Sequence, residues 1–352
     1  MIALAMGLAT LAGASPALAG SGAGPLGQAA SHISAAPFAP SGTAMQTAVT
    51  STRRVREREP NPLALRPLFV EPHGPARSKE RAWRGSRPSD AALLARIADQ
   101  PQGLWLGEWQ RDVRAAAASR VRAGRAVGST PVLVAYNIPL RDCGQHSSGG
   151  ASSGGAYRAW IAQLARGIGG APAIVVLEPD ALAGMGCLSR RDRAERLELI
   201  ADAVSRLEQL PQTAVYIDAG NPGWIPAGRI AQRLRKAGVA SARGFSVNVA
   251  GFASTERATA FGHAVSRRTG GARFVIDTSR NGLGSTESRE WCNPPDRALG
   301  SAPTADTGDP LADGHLWIKR PGESDGLCNS GPPAGVFWPE YALDLVRRAP
   351  TA

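Results

Sequence analysis

Short apolar, β-branched runs recur along the chain, and several end within a few residues of an acidic side chain. Ala173-Ile174-Val175-Val176-Leu177 leads into Glu178-Pro179-Asp180. Val132-Leu133-Val134-Ala135-Tyr136 leads to Asp142, Ala214-Val215-Tyr216-Ile217 to Asp218, and Leu316-Trp317-Ile318 to Asp325. Runs that do not alternate with polar residues read as strands covered on both faces, as in a parallel sheet. Helix-like stretches separate them, around 109–123, 156–166, 191–209, 227–237, 256–269 and 339–348, with further strands at 104–106, 245–248 and 274–277. Repeated βα units predict an α/β fold, a closed or nearly closed (β/α) barrel of seven or eight parallel strands. A doubly wound open sheet is the alternative, but no G-x-G-x-x-G follows the first strand. In such a barrel the sites assemble at the carboxyl ends of the strands, so Asp142, Asp180, Asp218 and Asp325 should converge. Clustered carboxylates without evident metal ligands point to acid/base chemistry.

The ends of the chain read differently. Residues 1–19 combine an apolar stretch with Ala17-Leu18-Ala19, the pattern of a secretory signal peptide, although a charged n-region is missing. Residues 20–60 are rich in Ala, Gly, Ser, Thr and Pro and read as a flexible linker, leaving 61–352 as a single catalytic domain. Four cysteines, Cys143, Cys187, Cys292 and Cys328, fit an exported chain with two disulfides, for which spacing alone allows three pairings. No two cysteines stand close in sequence and no histidine joins them at ligand spacing, which argues against zinc. The formal charge of +11 comes mostly from scattered arginines without interleaved aromatics, so nucleic acid is not an expected partner.

The motifs then become specific. Tyr136-Asn137-Ile138-Pro139-Leu140-Arg141-Asp142-Cys143-Gly144, followed by His146-Ser147-Ser148-Gly149-Gly150, resembles the first signature of glycoside hydrolase family 6, inverting cellulases that cut β-1,4-glucan. Leu177-Glu178-Pro179-Asp180 resembles the second. Tyr216-Ile217-Asp218-Ala219-Gly220, Ile276-Asp277-Thr278-Ser279-Arg280-Asn281-Gly282, Glu290-Trp291-Cys292 and the 317–326 stretch follow in the family's order.

The resemblance implies a distorted (β/α) barrel of about seven parallel strands, and disulfides Cys143–Cys187 and Cys292–Cys328. It casts Asp180 as the general acid and Asp142 as the carboxylate that raises its pKa. Asp325 takes the position proposed for the base, with Arg280 or Lys319 as its ion-pair partner. Tyr136 should lie against the distorted sugar, and Ser147 or Ser148 could hold the attacking water. Asp218, Arg280, Lys319, Glu323 and Asn248 are candidate sugar contacts. Trp105, Trp224 and Trp291 fall in loops or strand ends beside the acidic motifs and are candidate stacking platforms, whereas Trp109, Trp160 and Trp338 sit in helix-like segments suited to core packing. Asn221 stands where many members carry His.

The implied activity is a secreted endo-1,4-β-glucanase without a cofactor or metal, acting as a monomer on β-1,4-glucan or cello-oligosaccharides, with no stable membrane span once processed. The intervals between the motifs carry no obvious insertions, which favours an open cleft over a tunnel. An exo-acting cellobiohydrolase and a noncatalytic glycan-binding protein are the alternatives.

Overall fold

A computed structural model describes residues 60–144, 148–286 and 290–350. The signal-like residues 1–19 and the linker up to residue 59 lie outside the described residues, as does Ser147. Among the described residues, seven strands form one sheet in chain order, every neighbouring pair parallel. They are β1 (Leu104–Leu106), β2 (Val132–Ala135), β3 (Ala173–Leu177), β4 (Thr213–Asp218), β5 (Gly244–Val247), β6 (Arg273–Asp277) and β7 (Ala312–Leu316). Helices α1 (Pro75–Trp83) and α2 (Pro88–Ala98) precede β1. Between strands run α3 (Val113–Ala126), α4 (Gly154–Ile168), α5 (Arg190–Leu207), α6 (Ala227–Lys236) and α7 (Thr255–Ser266), and α8 (Pro339–Arg348) closes the chain.

Alternate strand residues face opposite sides, which splits the core in two. Leu133, Val175, Ile217 and Phe245 pack outward on the helices, where Tyr157, Ile161, Leu164 and Ile168 give α4 an apolar stripe at helical spacing. Val134, Val176 and Tyr216, paired across β2, β3 and β4, point inward with Ile174, Val275 and Ile318. The runs lack polar residues because both faces are covered. Side chains of Asp112, Ser153, Ser189 and Ser254 cap the first free N–H groups of α3, α4, α5 and α7, which fixes where those helices begin after the strand-end loops.

β1 and β7 are the sheet's two edges. Gly103 N–H donates to Trp317 O at 2.9 Å, Trp105 Nε1 donates to Ile318 O at 2.9 Å, and Arg320 Nε donates to Gly103 O at 2.8 Å. These side-chain and backbone bonds draw the edges together without a ladder, the seam of the expected distorted barrel.

Two sequence expectations shift. The last strand is Ala312–Leu316, not 316–318. It was hidden because it carries Asp313, Gly314 and His315 rather than an apolar run. Asp313 is buried there because Tyr216 Oη donates to it at 2.8 Å and Arg243 pairs with it through Nε at 2.8 Å. The helix expected over 109–123 starts only at Val113, capped by Asp112, so Trp109 lies in the loop after β1.

Candidate active site

Each candidate carboxylate follows a strand at the same end of the barrel. Three strand-end acids turn out to be brackets. Glu178 accepts the N–H groups of Asn137 and Ile138 at 3.0 Å, tying the loop after β2 to the end of β3. Asp218 accepts the N–H of Asp180 at 2.9 Å and of Gly220 at 2.8 Å, and the Ser246 hydroxyl at 2.9 Å. Asp277 accepts the N–H of Ala250, Ser279 and Lys319, each at 2.9 Å, joining the loops after β5, β6 and β7. Burial pushes Glu178 up to about 7 and Asp218 up to about 6 despite these bonds.

Arg196, buried on α5, completes the first bracket. Its Nη1 donates to Ala181 O at 3.2 Å, and its Nη2 to Pro139 O at 2.6 Å and Leu140 O at 2.9 Å. The loops it joins are strained. Leu140, Asp142, Glu178 and Asp180 all have φ between 53° and 65°, a region L-residues occupy only when the surroundings impose it. Each costs of order 1–3 kcal/mol, so the Glu178–Arg196 bracket has real work in holding Asp142 and Asp180 in place.

Asp180 is the exception among these acids. Its backbone N–H is bound by Asp218, but its Oδ1 is shielded from solvent and has no hydrogen-bond partner among the described residues. Burial, then the charges of Asp218, Asp142 and Asp325, hold its carboxyl well above the usual range. A carboxyl that holds its proton above the ordinary range and keeps one oxygen free is what a general acid requires.

Asp325 has the opposite surroundings. Arg280 grips it bidentately at 2.7 and 2.9 Å, Lys319 Nζ lies 3.2 Å from Oδ1, and Asn293 N–H donates at 3.1 Å. Burial works against its charge, but Arg280 and Lys319 outweigh that and hold the carboxyl below the ordinary range. With donors on both oxygens it is a firmly ionised group and a weak proton acceptor.

The sequence profile of glycosyl hydrolases family 6 matches residues 64–349. The chain belongs to this family. It is 46% identical over 272 residues to Endoglucanase A of Cellulomonas fimi, an alignment covering 76% of this chain and 59% of that protein. It is 44% identical over 281 residues to Endoglucanase 1 of Streptomyces halstedii, covering 76% of this chain and 86% of that one. Among solved structures, the endoglucanase Cel6 from Mycobacterium tuberculosis, in complex with methyl-cellobiosyl-4-deoxy-4-thio-β-D-cellobioside, superposes with a TM-score of 0.79 at 44% identity, covering 82% of this chain and 99% of that one. The chain thus spans about three-fifths of the length of the Cellulomonas relative.

Within the family frame, the remaining candidates divide. Both disulfides, Cys143–Cys187 and Cys292–Cys328, are present and pin the loops that carry Asp142 and Asp325. Tyr136 is buried at the end of β2, with the Trp105 ring edge-on at 5.0 Å and the Arg141 guanidinium 4.3 Å from its own ring. Trp224 and Trp291 are 50% and 40% exposed and flank a small cavity with Asn221 and Phe252, suitable for a flat sugar face. Lys319 and Arg280 are committed to Asp325, and Glu323 pairs with Arg320 at 3.1 Å.

Asn248 departs from its expected role as a sugar contact. It is fully buried and gives its amide hydrogens to Ala253 O and Asp277 O, so it builds the wall of the cleft. Asn221 keeps an unpartnered, shielded Oδ1 at the same cavity. Trp109 departs too: it is 50% exposed rather than core. The signal was available in Asp112, a capping residue that starts the helix beyond it. Glu178 and Arg196 were missed because nothing in their spacing reveals that both tie down the loops after β2 and β3. No cluster of three or more His, Cys, Asp or Glu side chains among the described residues is arranged to hold a metal, and no described helix is long and apolar enough to cross a membrane.

Proposed function

We propose that the chain is an inverting endo-1,4-β-glucanase in which Asp180 protonates the leaving glycosidic oxygen. The observation that carries the reading is the contrast of one undonated, proton-retaining carboxyl with an ionised carboxylate across the same strand ends. Burial, then the charges of Asp218 and Asp142, keep the proton on Asp180. As the proton leaves for the glycosidic oxygen, positive charge develops on the sugar ring, and the fixed anion of Asp325 favours it electrostatically. Tyr136 lies against that ring. Because Asp325 already accepts from Arg280, Lys319 and Asn293, we infer that the attacking water is oriented there and passes its proton on through neighbouring groups, with Ser148 a candidate holder.

Internal cutting is favoured by half-exposed Trp224 and Trp291, whose open faces suit an uncovered cleft. The endoglucanase names of the relatives point the same way. Trp105, Trp224, Trp291 and Glu323 form the sugar-binding set, with β-1,4-glucan or cello-oligosaccharides as ligands. Asp218 and Lys319, expected as sugar contacts, act indirectly by holding Asp180 and Asp325. We further infer export of a monomer, with residues 1–19 removed and 61–352 as the catalytic unit, in keeping with two disulfides. Proton NMR of the first product tests the mechanism: a nascent α-anomer is expected, and a β-anomer would rule out inversion. Comparing viscosity loss with reducing-end release tests endo action. An exo enzyme would release sugar while barely thinning the solution.

A further inference from the structure

Trp109 is a half-exposed tryptophan that the fold holds in one place. Its ring lies back over Gly107, where a Cβ would come within 2.4 Å of the ring, so only glycine permits the arrangement. The Arg141 guanidinium sits 5.5 Å from its centroid. Arg141 is itself fixed: it donates to Glu108 at 2.7 and 2.8 Å and to Tyr136 O at 2.6 Å, and its side chain is only 5% exposed. The same guanidinium lies 4.3 Å from the Tyr136 ring, and Trp105 meets that ring on its edge. Trp105, Tyr136, Arg141 and Trp109 therefore form one connected row of flat groups. It runs along the loops after β1 and β2, at the end of the sheet where the candidate acids also stand. An immobilised aromatic left half open at the strand ends that carry the candidate acids leaves apolar surface in water unless a ligand covers it.

We propose that Trp109 is a further sugar-stacking platform, which lengthens the cleft by a glucose ring on the Tyr136 side. The inference rests on the glucanase reading above. The occupant is an additional pyranose of the same β-1,4-glucan chain, because the row includes Trp105 and Tyr136, two of the proposed sugar contacts, and ends in a half-exposed, flat and apolar ring. Glu108, next in sequence and partly exposed, is held below its ordinary range because Arg141 and backbone donors outweigh burial, and it can accept a sugar hydroxyl. Trp109 touches none of the reacting groups, so it should act on binding of long chains and leave the chemical step alone.

The test is calorimetric binding of β-1,4-linked glucose oligomers from two to six units in the full chain carrying Asp180→Asn, with and without Trp109→Ala. Removing an aromatic contact should raise Kd for the longest oligomers roughly three- to tenfold, with no change for the shortest. Trp109→Tyr should recover most of the loss. In the enzyme with Asp180 intact, Trp109→Ala should raise KM on long oligomers with kcat unaltered. Equal Kd at every length would overturn the proposal, and so would an equal loss at every length, which indicates damage near the centre. Failure of the parent to bind any oligomer, together with no hydrolysis by the unaltered chain, would remove the glucanase reading and the proposal with it.

Discussion

Asp180 and Asp325 stand at the same end of one barrel, on loops after β3 and β7, and their surroundings are opposite. Around Asp325 the fold gathers a bidentate arginine, a lysine and a backbone N–H, so the carboxylate is ionised over the whole neutral range. Around Asp180 it gathers other carboxylates and burial, and leaves Oδ1 without a donor. Residue type is identical. What differs is the set of neighbours, and those come from different strands: Asp142, Asp218 and Asp325 for one, Arg280, Asn293 and Lys319 for the other. One scaffold thereby holds one aspartate whose carboxyl is pushed up and another whose carboxyl is pushed down, the pairing that the proposed acid and fixed anion need.

The sharpest way to break this contrast is Asp180→Asn. It keeps the shape and removes the proton, and turnover on a soluble β-1,4-glucan should fall by about 10²–10⁴-fold. Retained turnover would refute the acid assignment. The mirror change, Asp325→Ala, should act on stability as well as rate. It strands Arg280 in a buried position, so thermal or denaturant unfolding should show a loss of about 3–5 kcal/mol. Asp180→Asn strands no charge, and should cost far less. Equal destabilisation by the two would erase the distinction.

Stability against pH sharpens it further. The raised pKa of Asp180 means that its contribution is complete below the unfolded value and fades as pH rises through the folded one. Asp325, held low, contributes above its unfolded value and loses that contribution as pH falls through the folded one. Melting temperatures at mildly acidic and alkaline pH should therefore show Asp180→Asn gaining on the parent at the alkaline end. Turnover should fall on that same alkaline side as the acid loses its proton.

A smaller effect is expected at Glu178→Gln. Its amide places a donor against the Asn137 and Ile138 N–H groups, at a cost of about 1–3 kcal/mol. If the bracket positions Asp142 against Asp180, kcat should drop by about tenfold with KM nearly constant, and Glu178→Asp should recover part of it. Parallel loss of kcat and binding would mean a general loosening of the site.

Much of this was legible in the chain. β3, both faces covered, announced itself as Ala173–Leu177, and α8 as Pro339–Arg348. Strand-end acids marked the site because parallel strands deliver their carboxyl ends to one side. β7 was not legible, since its buried Asp313 depends on Arg243 and Tyr216, residues far away in sequence. The strand pattern alone does not separate the bracketing acids Glu178, Asp218 and Asp277 from Asp180; the family resemblance singled Asp180 out. All four follow apolar runs, and in the structure the count of N–H groups reaching each carboxylate tells them apart. Asn248 looked like a sugar contact for the same reason: its partners, Ala253 O and Asp277 O, are loop carbonyls that no periodicity predicts.

The most direct test is a carbon-13 NMR titration of the Asp180 side-chain carboxyl, assigned by its absence in Asp180→Asn. Its pKa should stand well above the ordinary aspartate value of about 3.9, and should fall when Asp142 is replaced by asparagine. A midpoint at or below the ordinary value, indifferent to Asp142, would contradict the account.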